Sequence, residues 1–579
     1  MARAKKKLSF KTIVVCSGVA CSMGAAAASA RTPNTGLSLI EMAQQDLSAP
    51  ALSLVKAGAP VDVADEVGGT ALSWAVIHQD EPLIRALLKR KANPNKLDAS
   101  GVGPLALATE MGSTAQIEML LKAGADPNLA RQSGETDLMT AARRGSTADV
   151  ELLLAHGARV DPSEERFGQT ALMWAAAHPD VVALLLKRGA DTAARTKSWE
   201  VEYPRYLPMN TGLNENSNEW AHEGSYRVKA GGLTPIFFAI QEDSLESVRL
   251  LVEAGADINT QSADGTSPLL ASLYKWALVA VEAEAPSVFS PTQMPFVYRA
   301  NLPIAEYLLQ KGAKLQSDGS GYSPLHAILL QLVLGSPHGS ERLAFNPAGS
   351  GAQAPSLAAS PPEAEKIVEL IRKMLAMGPD LNGKTQLPTR GPVNFVRVNP
   401  IPVGSTPLHL AVASGRLDVI EMLLDAGARP DVVREDGHSP LSVAVMADDV
   451  PAVKLLVKRG ANLATTYNTT DQLAGSDDVT KSKLRTQQSL LHIAAASGAT
   501  AVIPVLVAEG VNPGALNGQG ETALQIAQVQ EQYRYERLKR FKKQADATPP
   551  IQDHSTSQLL KSLSSSGMVA RKQIRVSAR

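Results

Sequence analysis

Cysteine is almost missing from this chain: two among 579 residues, Cys16 and Cys21, both near the start. Beyond them nothing can form a disulfide, a thiolate metal site, a thiol nucleophile or a covalently attached c-type haem. Aromatic residues are scarce at 4%. That argues against a sheet-rich fold, where aromatic and β-branched side chains prevail. No apolar run approaches the ~20 residues of a transmembrane helix, so no membrane span is expected. The spacings HExxH, GxxxxGK[ST], GxSxG and the calcium-loop pattern are also missing. No motif therefore calls for catalysis, a cofactor or a bound metal.

Neither charge sign dominates, with 57 basic and 57 acidic residues. The balance is uneven along the chain. Residues 1–30 hold five basic side chains and no acid, and residues 531–579 hold 11 basic against 4 acidic. The body between them is acidic, unlike a nucleic-acid-binding surface, and no nucleic-acid partner is expected.

The first thirty residues have the form of an export signal. Arg3, Lys5, Lys6, Lys7 and Lys11 precede a short apolar core over Thr12 to Gly24, and Ala28-Ser29-Ala30 suits a cleavage site. A mature start near Arg31 and a periplasmic or secreted destination are expected. Gly18-Val19-Ala20-Cys21 is a weaker lipoprotein alternative, because Gly18 stands where a branched apolar residue is needed.

The sequence repeats itself. Gly68-Gly69-Thr70-Ala71-Leu72 returns as Gly134-Glu135-Thr136-Asp137-Leu138, Gly168-Gln169-Thr170-Ala171-Leu172 and Gly404-Ser405-Thr406-Pro407-Leu408. Leu72, Leu105 and Leu138 are 33 residues apart, as are Leu408 and Leu441. Residues 404–432 show what one unit is. Ser405 or Thr406 can cap a helix whose first turn takes Pro407. Leu408, Leu410 and Ala411 form a short inner helix that stops at Gly415. Leu417, Val419, Ile420, Leu423 and Leu424 recur at helical spacing in an outer helix. Ala426-Gly427-Ala428 ends it. Two short amphipathic helices cannot bury their faces alone, so neighbouring copies must stack.

Thr406-Pro407-Leu408-His409-Leu410-Ala411 resembles the ankyrin signature. So do the endings Leu423-Leu424-Asp425-Ala426-Gly427-Ala428 and Leu251 to Asn259. The resemblance covers roughly residues 36–535 in about twelve copies. It implies an all-α ankyrin-repeat solenoid of helix-turn-helix units with β-hairpin turns, and functionally a protein-binding scaffold. It also makes His326, His409 and His492 turn-fixing residues hydrogen-bonded to local backbone, rather than metal ligands.

The expected layout is a signal peptide at 1–30 and N-terminal repeats at 36–191. An aromatic-rich insertion follows at 192–231, then central repeats at 232–382 with insertions at 281–300 and 331–362. A turn insertion at 383–403 precedes repeats at 404–463. A further insertion at 464–488 leads to C-terminal repeats and a cap at 489–544. The Ser-rich tail 545–579 lacks periodicity and is expected to be disordered.

Two sets of residues are candidates for partner binding. The 192–231 insertion gathers Trp199, Tyr203, Tyr206, Trp220 and Tyr226, the residue types that dominate interface hot spots. Their alternative role is to pin a large loop onto the solenoid. By resemblance, the concave face is built from turn tips and inner-helix ends, here His78, Glu110, Arg143, Arg144, His178, Gln241 and Glu242. Solvated helix ends are the bland reading of these. Trp74, Trp174 and Phe238 share an inner-helix register with Leu410, Val443 and Ile493, which favours core packing over a cofactor pocket. Glu200, Glu202, Glu215, Glu219, His222 and Glu223 could serve metal or acid–base chemistry, but acids on a polar loop usually keep it soluble. The basic run Arg534, Arg537, Lys539, Arg540, Lys542 and Lys543 would touch an anionic surface or simply form a charged cap. The leading expectation is a monomeric, non-enzymatic scaffold for a protein partner. A structural envelope component, or a binder of peptide or cell-wall polymer, is the alternative.

Overall fold

A computed structural model describes residues 37–206, 222–273, 300–336, 361–386, 401–471, 483–544 and 553–565. Helix pairs follow one another along the chain, with 24 helices and four strands among the described residues. They group into two compact units, Met1–Asp126 and Pro127–Arg579. The expected signal at 1–30 lies outside the described residues.

The first unit holds three pairs: α1 (Leu39–Gln44) with α2 (Ser48–Lys56), α3 (Ala71–Ile77) with α4 (Glu81–Lys89), and α5 (Pro104–Met111) with α6 (Thr114–Lys122). The second begins with α7 (Asp137–Arg144), α8 (Thr147–Ala155), α9 (Ala171–Trp174) and α10 (Pro179–Lys187). A hairpin of β1 (Ser198–Tyr206) and β2 (His222–Gly231) follows, then α11 (Pro235–Gln241), α12 (Leu245–Glu253), α13 (Pro268–Leu273) and α14 (Leu302–Gln310). Next come α15 (Pro324–Gly335), α16 (Pro361–Ala376), α17 (Pro407–Ser414), α18 (Leu417–Asp425), α19 (Pro440–Met446) and α20 (Val450–Lys458). A second hairpin, β3 (Tyr467–Asp471) and β4 (Lys483–Gln488), precedes α21 (Leu490–Ser497), α22 (Ile503–Ala508), α23 (Ala523–Gln544) and α24 (Ser555–Ser565).

The pair α17–α18 shows how the sequence builds a unit. Thr406, in an extended conformation, is the cap, and Pro407 occupies the first turn. The His409 ring completes a capping box by accepting the Thr406 N–H on Nδ1 at 3.1 Å. Because Nδ1 accepts, Nε2 carries the proton and donates to the His438 carbonyl of the next unit at 3.1 Å. Gly415 ends the helix at φ 73°, the left-handed region that glycine enters without a Cβ clash. The unit beginning at α19 lacks that glycine, and Asp448 takes the strained place at φ 53°. Its carboxylate compensates by accepting the Val502 N–H at 2.9 Å ahead of α22. Leu408, Leu410, Ala411, Val419, Ile420 and Leu423 are fully buried between the helices.

Neighbouring units are tied at both ends of each pair. After the outer helices, an Asp or Asn side chain accepts a backbone N–H of the next unit: Asp62 from Asn93 at 2.7 Å, Asp431 from Asn462 at 2.9 Å. At the turn tips single backbone bonds do the same, such as Glu435 N–H to the Val403 carbonyl at 3.0 Å. His326 and His492 repeat the His409 arrangement, donating to the Ser405 and Glu521 carbonyls at 3.1 and 3.0 Å. Burial disfavours the charged form of these rings, holding His326 at about 4 and His409 well below the usual histidine range.

The insertions at 192–231 and 464–488 are built around the two β-hairpins. Those at 281–300, 331–362 and 383–403 lie largely outside the described residues. The tail corrects the expectation of disorder: Ser555–Ser565 is helical and packs on α23. No glycine stops α23 where Gly415 or Gly498 stops other inner helices, so it runs for 22 residues. Buried Glu531 on α23 then caps α24, accepting the Ser557 N–H at 2.8 Å and its hydroxyl at 2.6 Å. Periodicity alone hid this helix, because Thr556 and Ser557 are buried beside Leu560.

Candidate functional site

The inner-helix ends come first. His78 ends α3, and its Nε2 donates to the Gln44 carbonyl at the end of α1, 3.1 Å away. His178 precedes α10 and donates in the same way to the Arg143 carbonyl at 3.0 Å. Each imidazole caps the C-terminal carbonyls of the preceding inner helix. The His178 ring fills the space over Gly145 so closely that a Cβ there would overlap it. These two candidates are therefore committed to joining neighbouring units. Glu110 stands exposed at the end of α5, Gln241 half-buried at the end of α11 and Glu242 exposed beside it.

Arg143 and Arg144 end α7, both exposed. The Arg143 guanidinium lies over the Trp174 ring, 5.0 Å from its centre, and 3.8 Å from the Glu135 carboxylate. Cation–π contact of this kind favours a flat cation on the electron-rich face of the indole. Trp174, Trp74 and Phe238 are half-exposed, whereas Leu410, Val443 and Ile493 in the same register are buried. The larger rings reach past the helix layer, so the register is a surface in these units rather than the core that was expected.

The insertion adds to this surface. Strand pairing sets Trp199 opposite Ala230, Val201 opposite Val228 and Tyr203 opposite Tyr226, with Tyr206 opposite His222. Strand alternation puts positions 199, 201, 203, 226, 228 and 230 on one face of the hairpin. Positions 200, 202, 227 and 229 lie on the other, with Glu200 3.8 Å from Arg227. At the hairpin base Trp199 packs on Phe167 at 5.9 Å, and the Arg166 guanidinium lies 4.8 Å over the Phe167 ring. Trp220, Glu215 and Glu219 lie outside the described residues. Among the described residues no group of three His, Cys, Asp or Glu could hold a metal ion. No described helix is long and apolar enough to cross a membrane. The basic run lies in the second half of α23.

One difference between units was not foreseen. The Trp74 indole N–H donates to the Asp65 carboxylate at 2.9 Å. Burial pushes this carboxyl up, but bonds from Trp74, Gly69, Gln44 and Val67 outweigh it and hold the carboxyl below its usual range. The Trp174 N–H is buried and has no acceptor among the described residues. The corresponding acid, Glu164, spends its oxygens on the N–H groups of Arg166, Phe167 and Gln169 at 2.7, 2.8 and 2.9 Å. The sequence signal was a turn one residue longer, Glu164 to Thr170 against Asp65 to Thr70, with Gln169 replacing Gly69.

Family comparison agrees with the repeat reading. The description "Ankyrin repeats (3 copies)" matches residues 39–131, 117–196 and 358–467, and "Ankyrin repeat" matches 231–263. The chain is 31% identical over 127 residues to E3 ubiquitin-protein ligase KEG of Arabidopsis thaliana, covering 21% of this chain and 7% of that protein. Human ankyrin repeat and SOCS box protein 16 is 32% identical over 124 residues, 21% of this chain and 24% of that one. The putative palmitoyltransferase ZDHHC13 of Danio rerio is 27% identical over 261 residues, 42% and 35% of the two chains. The match thus spans only a small part of each of these relatives. The solved human ASB11 ankyrin repeat domain aligns at 21% identity and a TM-score of 0.32, over 49% of this chain and 99% of that domain.

Proposed function

The chain belongs to the ankyrin-repeat family, and from that premise we propose that it is an exported scaffold that recognises one protein partner. Ankyrin repeats are protein-interaction scaffolds, and here the partner meets the inner-helix and turn side between Glu135 and Glu242. One observation carries this reading. Trp174, Phe238, Phe167 and Trp199 are half-exposed on successive units, while the same inner-helix register is closed by aliphatic residues farther along. Rigid aromatic area with arginines over two of the rings is the composition of an interface hot spot. The repeats bind and do not themselves catalyse. Export rests on the basic and apolar character of residues 1–30.

Crosslinking in the native host followed by mass spectrometry tests both parts. One dominant protein, recovered with the natural chain and lost with Arg143→Glu and with removal of 200–228, supports the scaffold. Enrichment of glycan or lipid instead would point to an envelope role. A precursor that keeps residues 1–30 in the cytoplasmic fraction would remove the export proposal.

A further inference from the structure

We propose that the Arg143–Trp174 pair receives a single acidic side chain, Asp or Glu, from an extended segment of the partner. This rests on the scaffold reading above and names the chemistry recognised at its centre. The argument starts from what the chain does for itself at Trp74. There a carboxylate, Asp65, takes the indole N–H at 2.9 Å and is held ionised by four donors. At Trp174 the same indole is presented in the same inner-helix register with its N–H buried and unpaired. A buried donor without an acceptor is costly, so any arrangement that supplies one is favoured.

The chain cannot supply it. Glu164 is bound to three backbone N–H groups. The slot that Asp65 enters depends on Gly69, where a Cβ would stand 3.0 Å from the carboxylate and 3.2 Å from the Trp74 nitrogen. Gln169 has that Cβ, so the turn side is closed and the acceptor must arrive from the Arg143 side.

Charge on that side selects the partner's sign. The Arg143 guanidinium lies 3.8 Å from the Glu135 carboxylate, which also lies 3.5 Å from Arg131. Glu135 also accepts the Thr140 hydroxyl at 3.0 Å. The neighbouring inner helix α9 carries no basic residue, and α11 ends at Gln241 with the acidic Glu242 beside it, so the positive charge nearest Trp174 is that of Arg143. One acidic side chain, the counterpart of Asp65 at Trp74, fits this pattern. The Arg143 side chain is about half exposed, at 49%. The incoming carboxylate takes its guanidinium first, in the two-pronged geometry arginine favours, and gains the indole N–H as that side chain yields.

The test is selection of displayed random peptides on the full chain. Affinities of the selected peptides are then compared with those of counterparts carrying Asn or Gln for the shared acid. The expected result is one shared Asp or Glu whose amide counterpart binds roughly tenfold or more weakly. Trp174→Phe keeps the ring and removes only the N–H; Arg143→Gln removes only the charge. Each should erase most of the acid–amide difference, and the Trp174 indole proton should move downfield when peptide binds. Peptides with no shared acid, or an acid–amide difference that persists in both variants, would overturn the inference while leaving the scaffold reading intact. Failure to select any peptide that contacts α7, α9 or the hairpin would overturn both.

Discussion

Two units present the same residue to opposite circumstances. Trp74 reaches its own chain's Asp65 across a glycine, and its polar atom is paired. Trp174 stands in the same register with Gln169 in the glycine's place and its N–H unpaired. The inner helices differ in length, seven residues in α3 and four in α9, which ends at Trp174 itself. The turn before it is longer by one residue, and Gln169 adds a side chain where Gly69 has none.

Acid should produce the largest effect, and it acts on the buried histidines before it acts on Asp65. Buried His326 is held at about 4 by desolvation, while an unfolded histidine titrates near 6.5. The unfolded chain therefore binds more protons between these values, and stability falls as pH drops from about 6.5 towards 4. The loss for this ring alone is about 3 kcal/mol. His438 is likewise held at about 4, and burial holds His409 well below the usual histidine range. The Asp65 carboxyl is lowered as well, so its contribution is also lost on acidification, but only once pH falls below the usual aspartate range. Hydrogen exchange at pH 4.5 should show α15, α17 and α19 losing protection relative to pH 7, while the turn at Asp65 keeps its own. Equal loss in both would contradict this contrast.

Asp65→Ala attacks the paired site directly. It strands the Trp74 indole and the Gly69 N–H together, at an expected cost of about 2 kcal/mol, read by chemical denaturation. Gly69→Ala is milder and converts the first site towards the second. Its Cβ would crowd the Asp65 carboxylate and the Trp74 nitrogen, at about 1 kcal/mol, with loss of the downfield Trp74 indole resonance. An unchanged resonance would show that the glycine is not what admits the carboxylate.

Much of this molecule was legible before any coordinates. The 33-residue return of Leu72, Leu105 and Leu138, and the stop at Gly415, are local signals, and the helix pairs follow from them. The His326, His409 and His492 rings form the turn contacts that the resemblance implies. The committed state of His78 and His178 was not legible, since each bonds a carbonyl 34 or 35 residues away. The helix Ser555–Ser565 was hidden because its stability depends on Glu531, a cap supplied by another helix. The insertion at 192–231 was visible as added length and aromatic content. Its pairing across Ser198 to Gly231 needs a register that no periodicity states.

The smallest predicted effect decides most about the comparison. Trp74→Phe and Trp174→Phe remove the same polar atom and nearly the same apolar area from the same register. Their difference therefore isolates the indole N–H. At Trp74 the change breaks a bond to an ionised acceptor and leaves Asp65 short of one donor, so a loss of about 1 kcal/mol is expected. At Trp174 it removes a donor that has no acceptor, so stability should stay within about 0.5 kcal/mol of the natural chain or rise slightly. Paired urea titrations with unchanged slopes would measure both on one scale. Equal losses would mean that the Trp174 N–H is satisfied after all, and the acidic recognition proposed for it would have no vacancy to fill.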